Sequence, residues 1–269
     1  MATRVGVVGA AGRMGLTACW AVAEAADLEL VAAVAPSKAG QPLRALGGPD
    51  VDLEAAANLD ALAAAGAQVA VEFTVASAAP ANLLWCAQAG IHAVSGTTGL
   101  AEAEVARLGE AFRASRANCV LAPNFAISAA LLLRFAELAA PYFEGVEVVE
   151  LHHERKRDAP SGTAIETARR IAAAREASPA GPLPVPPAGE EVLASARGAL
   201  GPGGVRIHAL RLPGAVAHEE VRFGGPGEAL TIRQDSFDRR SFVPGILLAV
   251  RRVASTPGLT LGIGPLLGW

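Results

Sequence analysis

The chain has 269 residues, a formal net charge of −3 at pH 7, 52% hydrophobic content and only 4% aromatics. That length suits two ordinary domains, and the 23 Lys and Arg are too scattered for a nucleic-acid surface, so a small-molecule partner is expected. Cys19, Cys86 and Cys119 lie far apart without a CxxC pair and read as buried thiols of a reducing compartment.

Thr3 to Val8 is a nearly continuous apolar run, as a strand buried on both faces requires, and Gly9-Ala10-Ala11-Gly12-Arg13-Met14-Gly15 follows at once. A helix to about Ala26 and a strand from Leu28 to Val34 complete a right-handed βαβ unit. Arg4 and Arg13 bracket the first apolar run, a pattern unlike a signal peptide, and a cytoplasmic location is expected. Further strands are predicted at Val69 to Phe73, Ile91 to Ser95 and Cys119 to Ala122, with helices near Ser77 to Ala89 and Ala101 to Ser115. Pro80, Asn82, Gln88, Gly90 and His92 interrupt the uncharged stretch Phe73 to Ala101, which reads as α/β core and not as a membrane span. The alternation predicts an α/β, Rossmann-like, doubly wound parallel sheet over residues 1–124.

After Asn124 the rhythm changes. A helix at Ser128 to Ala140 is followed by a strand at Val146 to Leu151, a charged loop and another helix. Val205 to Leu210, His218 to Phe223 and Leu230 to Phe237 then recur with only Gly- and Pro-bearing turns between them, as in an antiparallel sheet. A second, α+β domain on a mostly antiparallel sheet is therefore expected over residues 125–239. Glu176 to Gly204, centred on Pro182-Leu183-Pro184-Val185-Pro186-Pro187, reads mainly as a surface loop. Helical apolar spacing from Phe242 to Val253 leads us to expect residues 240–269 to complete the first domain.

Gly9, Gly12 and Gly15 form a GxxGxxG variant of the dinucleotide fingerprint. Directly after a buried strand and opening a helix, it lets the backbone approach a pyrophosphate at the helix N-terminus. Sites for NAD usually carry an Asp or Glu at the end of the second strand, where this chain reads Ala35-Pro36-Ser37-Lys38. No carboxylate stands there to repel a 2′-phosphate, and Ser37, Lys38 and Arg13 are candidates to bind one; the competing reading makes Lys38 a solvated loop lysine. NADPH is thus expected to serve at least as well as NADH.

The segment after the Val146 strand concentrates proton donors and cations: His152, His153 and Lys156, flanked by Arg155 and Arg157. His and Lys suit the protonation of the charge that hydride addition creates at an electron-poor C=C or C=N. Pro160 stops the loop and Ser161 is placed to cap the following helix, which would turn the N–H groups of Gly162 and Thr163 outward as a carboxylate receptor. His92 and His208 read as structural. No metal site is expected.

Glu147-Val148-Val149-Glu150-Leu151-His152-His153-Glu154-Arg155-Lys156-Arg157-Asp158-Ala159-Pro160-Ser161-Gly162-Thr163-Ala164 resembles the signature of the 4-hydroxy-tetrahydrodipicolinate reductase (dihydrodipicolinate reductase) family. That signature runs E, aliphatic, any, E, any, H, three of any, K, any, D, any, then P and S-G-T-A. Gly9 to Gly15, Glu72-Phe73-Thr74, Gly96-Thr97-Thr98-Gly99, Ala122-Pro123-Asn124-Phe125 and Asp238-Arg239 also fall where the family has its blocks.

The resemblance implies NAD(P)H-dependent reduction of a small cyclic dicarboxylate. It makes His152 a proton donor or acceptor, Lys156 a second proton donor, His153 a substrate ligand, and Gly162 and Thr163 the holders of a substrate carboxylate. Gly9, Ala10, Ala11, Gly12, Arg13, Met14, Gly96, Thr97, Thr98, Ala122, Pro123, Asn124 and Phe125 would line the dinucleotide, although Gly96-Thr97-Thr98 alone reads as an ordinary turn. A homotetramer through the second domain's sheet is also implied, with neither nucleic acid nor membrane as partner. Two departures stand out: Ala35 occupies a place the family commonly gives to an acidic residue, and Ala217-His218-Glu219 replaces a frequent G-E-H. The rivals are an aspartate-dehydrogenase-like enzyme and a non-catalytic dinucleotide sensor; the intact His152 to Thr163 pattern disfavours both.

Overall fold

The computed structural model describes residues 2–184 and 190–269. The chain divides into two compact units, Met1–Ile127 with Arg239–Trp269, and Ser128–Asp238.

In the first unit, strands β1 (Thr3–Val8), β2 (Leu28–Val34), β3 (Ala55–Ala56), β4 (Val69–Glu72), β5 (His92–Ser95) and β6 (Cys119–Leu121) join a C-terminal strand, Leu259–Leu261. The order is the C-terminal strand, then β6-β5-β4-β1-β2-β3, and every pair is parallel. Helices α1 (Arg13–Glu24), α2 (Asp60–Ala64), α3 (Ala79–Ala89) and α4 (Glu102–Arg113), with a C-terminal helix at Val243–Arg252, belong to the same unit. Val5, Val7, Val69, Val71 and Val94 are buried, as the unbroken apolar runs require of strands covered on both faces. The strand order reverses between β1 and β4, the switch point at whose C-terminal ends such sheets bind ligands. Burial pushes the Cys19 and Cys86 thiols up to about 12, and all three cysteines are free.

In the second unit, β7 (Gly145–His152), β8 (Ala199–Leu200), β9 (Arg206–Arg211), β10 (Ala217–Gly225) and β11 (Glu228–Ser236) are ordered β11-β10-β7-β9-β8, beside α5 (Ile127–Ala139) and α6 (Gly162–Glu176). Three of the four strand pairs are antiparallel. The departure from the antiparallel reading is β9, which lies parallel to β7 because α6 and the chain after it make the crossover. Ala199–Leu200 forms a short edge strand within the segment read as loop, and residues 185–189 of that segment lie outside those described. Val146, Val148, Ile207, Val221 and Phe223 form the sheet's half of the core, packed with Leu132, Ala164, Ala168 and Ile171 of the helices. Among the described residues no helix is long and apolar enough to cross a membrane.

Candidate functional site

Gly9 has φ +82°, and a Cβ there would lie 2.3 Å from the Phe73 carbonyl oxygen, while one on Gly15 would lie 2.0 Å from the Gly9 carbonyl oxygen. Side chains are thus excluded where strand and helix meet. Gly12 donates its N–H to Gly9 O at 2.9 Å and caps α1 without a side chain, which leaves the N–H groups of Arg13 and Met14 open at the positive helix end. This geometry fits a dinucleotide pyrophosphate.

Beside the loop is a cleft of about 580 Å³ lined by Gly12, Arg13, Met14, Phe73, Thr74, Val75, Ala76, Gly96, Thr97 and Thr98. Gly12, Arg13, Met14, Gly96, Thr97 and Thr98 are among the residues expected from the sequence, whereas Phe73 to Ala76 were not, although the Glu72-Phe73-Thr74 block was a signal. Ala10, Ala122 and Phe125 are buried in the core, so only their backbones can face a ligand, and Phe125 meets Phe73 edge-on at 5.8 Å. Asn124 turns inward to accept the Ala126 N–H at 2.8 Å, and Pro123 is exposed. Ser37 and Lys38 sit exposed in a short turn after Ala35 and do not line the cleft.

One buried carboxyl ties the cleft loops together. Glu72, at the end of β4 and 0% exposed, accepts Thr74 N–H at 3.0 Å, Ser95 Oγ–H at 2.6 Å, Thr97 Oγ1–H at 2.8 Å and the Thr74 hydroxyl. The Thr97 hydroxyl in turn accepts Thr74 N–H at 3.2 Å. Three side chains and two strand ends therefore share one acceptor.

The second unit holds the other group of residues. A strand's period of two places Val146, Val148, Glu150 and His152 on one face of β7, apolar in the core and polar toward its end. Glu150 is 0% exposed and its carboxylate is fully engaged: His152 Nδ1 at 2.6 Å, Arg211 through two nitrogens at 2.8 Å each, and Ser161 N–H at 3.0 Å. Burial alone would raise its pKa, but the bonds from Arg211, His152 and Ser161 outweigh it and hold the group below the usual carboxylate range. Because Glu150 only accepts, the Nδ1 of His152 carries the hydrogen and Nε2 is left for a reacting proton. Burial lowers the pKa of His152 more than Glu150 raises it, with Lys156 and Arg211 adding to the lowering.

Lys156 bonds both oxygens of Asp158 at 2.8 and 2.7 Å, and Arg211 reaches the Asp158 carbonyl at 2.7 Å, pinning the loop. Ser161 caps α6 by accepting the Ala164 N–H at 3.2 Å. The N–H groups of Gly162 and Thr163 have no partner among the described residues, and Gly162 is exposed. His153, the residue after His152, is exposed. Glu150 and Arg211 were not among the site residues expected from the sequence. Glu150 stands two residues before His152, the spacing that puts both on one strand face, whereas Arg211 is 61 residues from Glu150 and only the β7–β9 pairing brings it in.

Family models match both parts of the chain: "Dihydrodipicolinate reductase, N-terminus" over residues 3–125 and "Dihydrodipicolinate reductase, C-terminus" over residues 128–267. The chain is 51% identical over 264 residues to a 4-hydroxy-tetrahydrodipicolinate reductase of Beutenbergia cavernae, with 98% of each chain covered. It is 51% identical over 261 residues to one of Streptomyces coelicolor, covering 97% of this chain and 96% of that one. Among solved structures, a dipicolinate-bound dihydrodipicolinate reductase from Paenisporosarcina sp. TG-14 superposes with a TM-score of 0.85 at 35% identity, over 98% of this chain and 99% of the other.

Proposed function

The chain belongs to the dihydrodipicolinate reductase family, and from that premise we infer that it is the NAD(P)H-dependent oxidoreductase that reduces 4-hydroxy-tetrahydrodipicolinate, with loss of water, to tetrahydrodipicolinate on the diaminopimelate route to lysine. The observation that carries the mechanism is the buried Glu150, which grips His152 Nδ1 and Ser161 N–H together.

The first unit holds the dinucleotide, with Gly9 to Met14 on the pyrophosphate and the Gly96 to Thr98 and Ala122 to Phe125 turns lining the rest. The bound dinucleotide supplies the hydride. The second unit holds the dicarboxylate: the N–H groups of Gly162 and Thr163 take one carboxylate and His153 makes a further contact. His152, oriented by Glu150, exchanges a proton at Nε2, and Lys156 Nζ donates the proton that quenches the carbanionic centre. Asp158 holds Lys156 in place between turnovers. Dipicolinate is bound by the solved relative, and its two carboxylates match a receptor of this kind.

The proposal extends to NADPH as a cofactor at least as good as NADH, with Ser37, Lys38 and Arg13 taking the 2′-phosphate. It also extends to a cytoplasmic homotetramer formed through the second unit's sheet, where Leu210 and Leu212 are exposed. Light scattering tests the oligomer. The function is tested by loss of NADPH absorbance with freshly made substrate; no turnover with either dinucleotide would overturn it.

A further inference from the structure

Successive residues of a strand point to opposite faces, so the order within Ala217-His218-Glu219 decides which side chain goes inside. In β10 it is Glu219, on the face of Val221 and Phe223, while His218 turns to the other face and pairs with Asp235 at 2.7 Å. Glu219 is 3% exposed, and its cross-strand partners in register are Glu150 on β7 and the neutral Gln234 on β11. From α6 it meets Thr167. No cation offsets it: Arg211 and His152 are spent on Glu150.

The hydrogens must also balance. The Thr167 hydroxyl has one proton but two acceptor neighbours, the Thr163 carbonyl oxygen at 3.0 Å and the Glu219 carboxyl, with which it makes a close contact. A single proton cannot serve both. With a hydrogen on Glu219 the chain closes: the carboxyl donates to Thr167 and Thr167 donates to Thr163.

We propose that Glu219 carries its proton in the working enzyme and acts as a positioning residue, holding Thr167 against the Thr163 carbonyl and so fixing the first turn of α6. Burial pushes the group up to about 7, against the pull of the Thr167 bond and with the aid of the Glu150 charge. When the proton leaves, Thr167 turns to the new anion, a second negative charge faces Glu150, and the turn that carries the Gly162 and Thr163 N–H groups loses its anchor. The inference rests on the reading of those two N–H groups as the carboxylate receptor.

The test is an infrared difference spectrum of the full chain, wild type minus Glu219→Gln, with dipicolinate affinity measured beside it. The amide of Glu219→Gln donates to Thr167 as the protonated acid does. At about pH 6 the difference spectrum is expected to show the C=O stretch of a protonated carboxyl, fading as pH rises through the value above. Dipicolinate Kd of the wild type is expected to weaken several-fold, roughly, over the same range, while Glu219→Gln stays flat and Thr167→Val is weaker by about ten-fold throughout. Absence of the carboxyl band, or an alkaline loss of affinity that survives in Glu219→Gln, would overturn the proposal. If wild type does not bind dipicolinate at any pH, the receptor reading fails while the infrared result still decides where the proton is.

Discussion

Glu150 and Glu219 stand opposite each other in the antiparallel register of β7 and β10, both buried, in unlike environments. Glu150 has a guanidinium, an imidazole and a backbone N–H, while Glu219 has a threonine hydroxyl. Two adjacent carboxyls are thereby pushed apart in pKa, one down and the other up. The paired state orients the histidine.

Lys156→Ala is expected to lower kcat by about 10²- to 10⁴-fold, the usual range for a lost general acid, with a smaller effect on KM. Stopped or continuous NADPH oxidation assays measure it. Turnover at the wild-type rate would remove Lys156 from the proton-donor role.

Glu150→Gln leaves one neutral accepting oxygen for His152, Arg211 and the Ser161 N–H to share, and removes the ion pair from Arg211. A fall in kcat of roughly 10- to 100-fold is expected, with a lower melting temperature. Acid sensitivity also changes. The folded-state pKa of His152 and that of Glu150 are both depressed, so their contribution to stability is complete above the unfolded values and is lost as pH falls through that range. Removing Glu150 also takes away what raises the His152 pKa, so melting curves should fall more steeply in Glu150→Gln than in wild type between about pH 7 and pH 5, where His152 titrates, and less steeply below about pH 4.5, where only wild type loses the Glu150 contribution; identical slopes would count against the coupling.

The ratio of kcat/KM for NADPH and NADH decides the cofactor. NADPH is expected to equal or exceed NADH, and Lys38→Ala to reduce the NADPH value by about five-fold, the scale of one exposed ion pair, without touching NADH. A strong NADH preference in wild type contradicts the assignment of Ser37 and Lys38.

Gly15→Ala drives a methyl into the Gly9 carbonyl, an overpacking cost of about 1–3 kcal/mol in a backbone that cannot yield without reshaping the loop. Calorimetry should show a lower melting temperature and titration a loss of dinucleotide affinity. Full affinity in a stably folded variant would dissociate the loop from the cofactor.

Glu72→Ala strands several buried donors, each worth about 1–3 kcal/mol when unsatisfied, and should loosen both turns of the cleft at once. Dinucleotide Kd is expected to rise more in Glu72→Ala than in Glu72→Gln, which keeps one accepting oxygen. Equal affinities in the two variants would show that the turns stand without this acceptor.

The main strands of the first unit were legible in the sequence because burial on both faces leaves an apolar run, as over residues 5–8 of β1, 30–34 of β2 and 69–71 of β4. The two-residue strands β3 and β8 were not, since nothing periodic fits in two residues. The Ser161 cap could be read because serine before a helical run has a local meaning. The roles of Arg211 and Glu219 could not: each depends on which strand lies beside β7, and a pairing between distant segments leaves no local mark. The parallel placement of β9 escaped for the same reason.

The grip of Glu150 on both His152 and Ser161 also works as a caliper. One jaw is the imidazole, the other the start of α6, and a single rigid carboxylate sets the gap. Neither jaw can slide without letting go of the handle, so on the proposed reading, in which the start of α6 takes a substrate carboxylate, this one grip sets the distance from that carboxylate to the imidazole. Shifting the imidazole relative to the start of α6 is therefore a task for the sheet and the residue at position 150.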